Sequence, residues 1–172
     1  GACELQKYCN EYGVEHSSYN SCRADACEDV KNSHPFLSYR PELCIRCQRC
    51  VNTCEKITGR KAIGVGKAGV FSIIEAPFGP DWKMSLCESC GNCAQACPTG
   101  AITEKRRKHY REWEVKRVRT TCPHCATGCQ YDLLVKDNKI VDVQAADGPS
   151  NRGLLCVKGR SGSFDFVHSG DR

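Results

Sequence analysis

The chain has 172 residues, 16 of them cysteine, with 40% hydrophobic residues and a formal net charge of +5. That is too little apolar material for one large core, so cross-links or bound metal must hold part of the fold. No run of 18 apolar residues exists, which excludes a transmembrane helix; a cytoplasmic location is the expectation. Gly1 opens the chain without an initiator Met or an apolar signal segment, as expected of a piece of a longer polypeptide.

Residues 1–40 are polar, with Ser17, Ser18, Tyr19, Asn20 and Ser21 in a row, and read as a connecting arm. From 41 to 104 runs an internal repeat. Cys44, Cys47, Cys50 and Cys54 spell CxxCxxCxxxC, and Cys87, Cys90, Cys93 and Cys97 spell it again 43 residues later. Between the halves, Ala62–Val65 and Val70–Ile74 read as two short strands around a glycine turn. Gly64, Gly66 and Gly69 satisfy GxGxxG there, but no helix follows and no βαβ unit surrounds them. A hairpin turn is expected, not a dinucleotide site. Residues 105–119 carry eight Lys or Arg against two Glu, and Val115, Val118, Thr120 and Thr121 suggest a strand entering a third group. That group is Cys122, Cys125 and Cys129, followed at a distance by Cys156. Between them a hairpin is expected over 131–143, with Leu133 and Val135 on one arm, Asp137 and Asn138 in the turn, and Val141 and Val143 returning.

Three thiols within seven residues cannot pair conveniently with one another, which argues against a disulfide framework. Structural zinc uses two CxxC or CxxH pairs separated by a longer loop, a pattern closer to the third group than to the repeat. The CxxCxxCxxxCP run instead matches the bacterial ferredoxin pattern, in which three close thiolates wrap one cubane and the fourth serves the other cluster. Cys44, Cys47, Cys50 and Cys97 should then hold one [4Fe-4S] cluster, and Cys87, Cys90, Cys93 and Cys54 the other. Pro98 and Gly100 stop the second helical turn, whereas Glu55 stands where the first repeat would have proline. Lys105, Arg106, Arg107 and Lys108 resemble a nucleic-acid footprint. Each oxidised cluster with four thiolates adds about −2, however, and three bring the chain to roughly −1. The cations therefore read as local compensation or a solvated linker, and no nucleic-acid partner is expected.

The stretch TTCPHCATGCQYDLLVKDNKIV, continuing through ADGPSNRGLLCVKGR to FDFVHSGDR, closely resembles the first domain of molybdenum or tungsten bis-pterin oxidoreductases. Its nearest likeness is the alpha subunit of NAD-linked or hydrogenase-linked formate dehydrogenases. The resemblance implies that Cys122, Cys125, Cys129 and Cys156 hold a third [4Fe-4S] cluster beside the pterin. It further implies that Lys158 lies between the two on the electron path; out of that context it would read as an exposed lysine in a salt bridge. Cys3, followed by Glu4, Leu5 and Gln6, resembles the end of the HxxxCxxCxxxxxC motif of these subunits. The large iron-sulphur subunit of complex I and FeFe hydrogenases share that motif. Cys3 would be the last ligand of a further cluster whose other ligands this chain lacks. Cys9, Cys22 and Cys27 match no ligand pattern and read as free, although Cys22 and Cys27 could reach a pair or a metal. His124 reads as packing around the third cluster, and His16, His34, His109 and His168 as surface residues.

The expected fold class is α+β with little regular secondary structure. Residues 1–40 would be the remnant of a His/Cys3 cluster domain and its arm, 41–104 a small ferredoxin-like 2[4Fe-4S] domain and 105–120 a basic linker. Residues 121–172 would be the mostly β [4Fe-4S] domain of molybdopterin oxidoreductases, truncated. The function implied is an electron-transfer segment of a formate dehydrogenase or CO2 reductase. It would work within a multi-subunit redox complex, NAD-linked or hydrogenase-linked, with molybdenum and tungsten both compatible. The pterin and the active-site Cys or selenocysteine would lie beyond Arg172, so no catalytic residue is expected in the chain. Two alternatives keep the clusters and change the context: a complex-I-like or electron-bifurcating subunit, and a free-standing polyferredoxin.

Overall fold

A computed structural model describes residues 3–16, 33–79, 81–82, 85–106 and 109–162. They divide into two compact units, one running to Cys87 and including Asn92–Lys105, the other made of Glu88–Gly91 and the described residues from Arg106 onward. The fold is α+β, built from short elements.

In the first unit, α1 (Glu4–Glu11) is followed by β1 (Leu37–Tyr39), α2 (Arg49–Asn52), β2 (Gly64–Gly66), β3 (Ile73–Glu75), α3 (Asn92–Ala96) and β4 (Ile102–Glu104). β1 pairs antiparallel with β4, Leu37 opposite Glu104 and Tyr39 opposite Ile102. Leu37 and Tyr39 point inward while Ser38 is only half-buried, the period-two pattern of a strand. Three-residue strands gain little from their ladders. The cohesion comes from a core of Leu37, Tyr39, Cys50, Ile63, Ile74, Trp82 and Ile102. Tyr39 and Trp82 stack within it, ring centroids 5.3 Å apart.

Three features of this unit differ from the sequence expectation. The polar arm through residue 40 contains regular structure at both ends. The Leu5 N–H donates to the Pro98 carbonyl at 2.9 Å and Glu4 pairs with Arg49 at 2.7 Å, which ties α1 to the repeat. The hairpin starts later than Ala62, because the Ala62 N–H donates to Cys54 Sγ at 3.3 Å instead of joining a ladder. Gly64 and Gly66 lie in β2 and Gly69 opens a 3-10 turn, so the GxGxxG stretch forms a hairpin. His34, expected at the surface, is 4% exposed. Its Nδ1 accepts the N–H groups of Phe36 and Leu37 at 3.1 and 2.9 Å, which fixes the entry to β1. His16 and His109 are exposed.

The second unit is an antiparallel sheet of β5 (Lys116–Thr121), β6 (Gln130–Lys136) and β7 (Lys139–Ala145) in that order. Asp137 and Asn138, at φ +49° and +59°, make the tight turn between β6 and β7. Both central residues are left-handed, as the twist of a two-residue hairpin requires. Cys122, Tyr131, Ile140, Val143 and Leu155 form the core. Beside it the Tyr110 hydroxyl donates to the buried Asp142 carboxylate at 2.6 Å. Asn151 closes the sheet's open end: its side-chain amide donates to the carbonyls of Gln130, Ala146 and Leu154, and its Oδ1 accepts the Gln130 N–H. Gly148 passes so close that a Cβ there would sit 2.7 Å from Asn151 Oδ1. The basic segment is partly neutralised, since Arg117 pairs with Glu112 and Arg119 with Asp132. Arg107 and Lys108 lie outside the described residues. No helix among the described residues is long and apolar enough to cross a membrane.

Candidate metal centres

The cysteine loops owe their curl to left-handed residues. Arg46 and Gln48 stand at φ +59° and +60°, and the equivalent Ser89 and Gly91 at +59° and +72°. Alternating right- and left-handed residues turn successive N–H groups toward one side, making a concavity that suits an anion. The Arg46 N–H donates to Cys44 Sγ at 3.4 Å.

Beside the first loop lies a pocket, open to solvent, whose lining includes Tyr39, Cys44, Cys47, Cys50, Ile74 and Cys97. The fourth thiol on its wall is Cys97 of the other repeat; the Cys54 sulphur is engaged by the Ala62 N–H. The Cys50 thiol is pushed up to about 12 by burial and then by its neighbours Cys44, Cys97 and Cys47. Thr99 Oγ1 lies 3.7 Å from Cys97 Sγ. The Ile74 N–H donates to the Tyr39 hydroxyl at 3.0 Å, and Tyr39 shares this cavity wall with Cys44. Burial, followed by the neighbouring thiols, holds the Tyr39 proton well above the usual phenol range despite the Ile74 bond.

In the second set, Cys54 and Cys93 pack against the same core. They sit on a π turn at Thr53–Ile57 and on α3, elements in contact with each other. Cys87 belongs to the same unit, while Cys90 lies in the segment 88–91 that groups with the second unit. Its carbonyl accepts Nε of the buried Arg160 at 2.9 Å.

The members of the third set are near enough to influence one another electrostatically. Cys129 is raised by burial and then by Cys122, Cys125 and Cys156, so all the other members bear on one sulphur. The Cys122 N–H donates to the Cys129 carbonyl at 2.8 Å. Cys125 is held below the usual thiol range, chiefly by hydrogen bonding to Thr127 and also by the charge of Lys158. Lys158 is exposed and begins a π turn, Lys158–Gly162. A Cβ at Gly159 would come 3.3 Å from Cys122 Sγ. His124 is half-buried with its ring against Gly162.

Cys3 caps α1, half-buried, near Gly100, where a Cβ would lie 3.5 Å from the Cys3 Cβ. Cys9 is half-buried on α1. Cys22, Cys27 and His168 lie outside the described residues. None of the fourteen described cysteines is in a disulfide. Among the described residues no three His, Cys, Asp or Glu side chains converge where one ion could sit. Four thiols around a void, with N–H and O–H donors aimed at sulphur, suit a polynuclear anionic cluster better than a single Zn2+ bound at about 2.3 Å. The chain thus fits [4Fe-4S] groups.

Sequence reasoning missed Tyr39, Thr99, Asn151 and Arg160. Thr99 was within reach, two residues after Cys97 in a Cys-Pro-Thr-Gly turn. Nothing in the pattern marks the other three, which act across long separations.

The ferredoxin-like domain of NADH-quinone oxidoreductase subunit 3 matches residues 34–103, and the molybdopterin oxidoreductase Fe4S4 domain matches residues 115–168. The chain is 35% identical over its whole length to an NADH-quinone oxidoreductase subunit of Rhizobium meliloti, of which it covers 20%. NADPH-Fe(3+) oxidoreductase subunit alpha of Geobacter sulfurreducens is 34% identical at the same coverage. "Putative formate dehydrogenase SAV2309" of Staphylococcus aureus is 26% identical, with 21% covered. An NAD+-reducing [NiFe]-hydrogenase, solved in the H2-reduced state, superposes with a TM-score of 0.52 at 26% identity, over 60% of this chain and 43% of that one. The chain spans about a fifth of the length of these curated relatives. This is an iron-sulphur electron-transfer segment that joins the ferredoxin-like domain of NADH-quinone oxidoreductase subunit 3 to the Fe4S4 domain of the molybdopterin oxidoreductases.

Proposed function

We propose that the chain relays electrons through three [4Fe-4S] clusters between a molybdenum or tungsten pterin site of a longer polypeptide and partner subunits of a redox complex. When bound, each cluster accepts and releases one electron at a time. Cys44, Cys47, Cys50 and Cys97 would hold the first, Cys54, Cys87, Cys90 and Cys93 the second, and Cys122, Cys125, Cys129 and Cys156 the third. The observation that carries this reading is the cavity whose wall takes three thiols from one repeat and Cys97 from the other. The chain's own work is to hold the sulphurs, supply donors to them and keep apolar walls around them. Lys158, beside Cys125, would place a cation on the pterin side of the third cluster. Anaerobic reconstitution should load about twelve irons per chain with little zinc; about four irons or fewer, or stoichiometric zinc, would sink the three-cluster reading.

The parent reaction we infer is formate oxidation or CO2 reduction, supported by the Fe4S4 domain and the Staphylococcus relative. The complex-I-like alternative draws support from the Rhizobium and Geobacter relatives, whose identity is higher. Formate-dependent dye reduction by the longer parent protein, with stoichiometric molybdenum or tungsten, separates the two. Lys158→Met in that parent should slow cluster reduction by formate while iron content stays unchanged. Full turnover with unaltered cluster reduction rates would return Lys158 to an ordinary surface cation.

A further inference from the structure

Among the first set of sulphurs, Cys44 has two donors of different kinds near it. One is the Arg46 N–H at 3.4 Å, a product of the loop's own curl. The other is Tyr39, thirty-five residues from its partner Ile74 and fixed on every side. Its ring is 3% exposed, it stacks on Trp82 with the planes 18° apart, and its backbone pairs with Ile102 across the β1–β4 ladder. The hydroxyl oxygen already accepts the Ile74 N–H at 3.0 Å. Its own proton is left to donate, and Tyr39 lines the same cavity wall as Cys44, Cys47, Cys50 and Cys97. A hydroxyl held in a packed wall is set before any charge arrives and need not reorient when it does, as water must.

We propose that Tyr39 is a positioning residue that sets the reduction potential of the cluster held by Cys44, Cys47, Cys50 and Cys97, by donating its O–H to the Cys44 sulphur. This rests on the ligand reading above. Adding one electron makes the sulphurs more negative, and a hydrogen bond to the more negative partner is stronger. The donor therefore favours the reduced form and makes the potential less negative. No proton changes place in this step: the electron comes from the external reductant.

Tyr39→Phe keeps the ring and its stack and deletes the donor to Cys44 together with the acceptor of the Ile74 N–H. The experiment is an anaerobic redox titration with dithionite, followed by electron paramagnetic resonance, on the iron-loaded chain. The first-set signal is identified as the one that Cys97→Ser removes. In Tyr39→Phe its ratio of reduced to oxidised form at a fixed potential should fall about tenfold, equivalent to a midpoint about 59 mV more negative for one electron. Iron content and the other midpoints should stay put. Trp82→Phe, which leaves the hydroxyl in place, should lower the melting temperature without that shift. An unmoved midpoint in iron-loaded Tyr39→Phe overturns the proposal, whereas a Cys97→Ser chain with full iron overturns the ligand reading instead. Should Tyr39→Phe fail to fold, 3-fluorotyrosine at position 39 supplies a stronger donor of nearly the same shape. Its midpoint must then move the other way, and a static one defeats the idea.

Discussion

The two cysteine loops of the repeat take the same turn and leave it differently. Arg46 and Gln48 in the first, Ser89 and Gly91 in the second, occupy matching left-handed positions, and glycine serves at one of the four. The shared curl is therefore imposed on residues that disfavour it, at about 1–2 kcal/mol each. Beyond the third cysteine the paths part. The first repeat continues from α2 into a π turn at Thr53–Ile57, because Glu55 keeps the N–H that a helix needs. The second ends α3 at Ala96, and Pro98 and the left-handed Gly100 lead the chain into β4. The cysteine spacing sets the loop, and the residue after the fourth cysteine sets the exit.

The hardest test of this comparison removes the fourth cysteine on each side. Cys54→Ser should cost about four irons and abolish the signal of the cluster at Cys87, Cys90 and Cys93, while Cys97→Ser should abolish the one at Cys44, Cys47 and Cys50. Loss of each loop's own cluster would mean that the repeats do not exchange ligands. Next in size is the exit itself. Glu55→Pro imports the second repeat's residue into the first, where it deletes a helical N–H and clashes with the preceding turn, and should destabilise by about 3 kcal/mol in thermal melts of the loaded protein. Were it as stable as the parent, the π turn would be incidental.

The left-handed positions predict a smaller asymmetry. Gly91→Val places a β-branched residue at φ +72° and should cost at least about 1–2 kcal/mol. Gln48→Gly relieves the same strain but frees the unfolded chain, so it should be neutral or stabilising by at most about 1 kcal/mol. Equal losses from both would show that side-chain contacts, not backbone conformation, govern these sites.

The smallest effect concerns the approach to the first loop. Burial, and then the charge of Lys105, holds the His34 imidazole below its ordinary 6.5. The unfolded chain therefore binds the proton first, and the stability His34 contributes is complete above pH 6.5 and lost as pH falls toward its lowered folded value. Protonation would also break the bonds that Nδ1 accepts from Phe36 and Leu37. His34→Asn should flatten that part of the stability profile between pH 7 and 5; an unchanged slope would assign it to other groups.

What could be read from sequence was what is local. The CxxCxxC repeat, the strand leading into Cys122 and the Asp137–Asn138 turn all follow from neighbours along the chain. β1 escaped because three residues are too few to display a period, although Leu37 and Tyr39 are among the most buried side chains. His34 escaped because a histidine accepting two N–H groups from its own turn looks, as letters, like any polar residue. The later start of the hairpin depends on a bond from Ala62 to Cys54, and the closed end of the sheet on one asparagine reaching three carbonyls. Such bonds become visible only once distant segments meet.

The unequal exposure of the thiols gives chemical damage a direction. Cys47, Cys125 and Cys156 are open to solvent, whereas Cys50 and Cys122 are buried. Cys125 is also the thiol held below the usual range by Thr127 and Lys158, which raises its nucleophilic anion fraction at neutral pH. In metal-free chain, iodoacetamide should therefore alkylate Cys125 early and Cys50 last. Peroxide should likewise start its sulphenic-acid chemistry at Cys125. A preparation handled in air would then lose the third set before the first, and a thiol-reactive mass tag read by peptide mapping would show that order of loss.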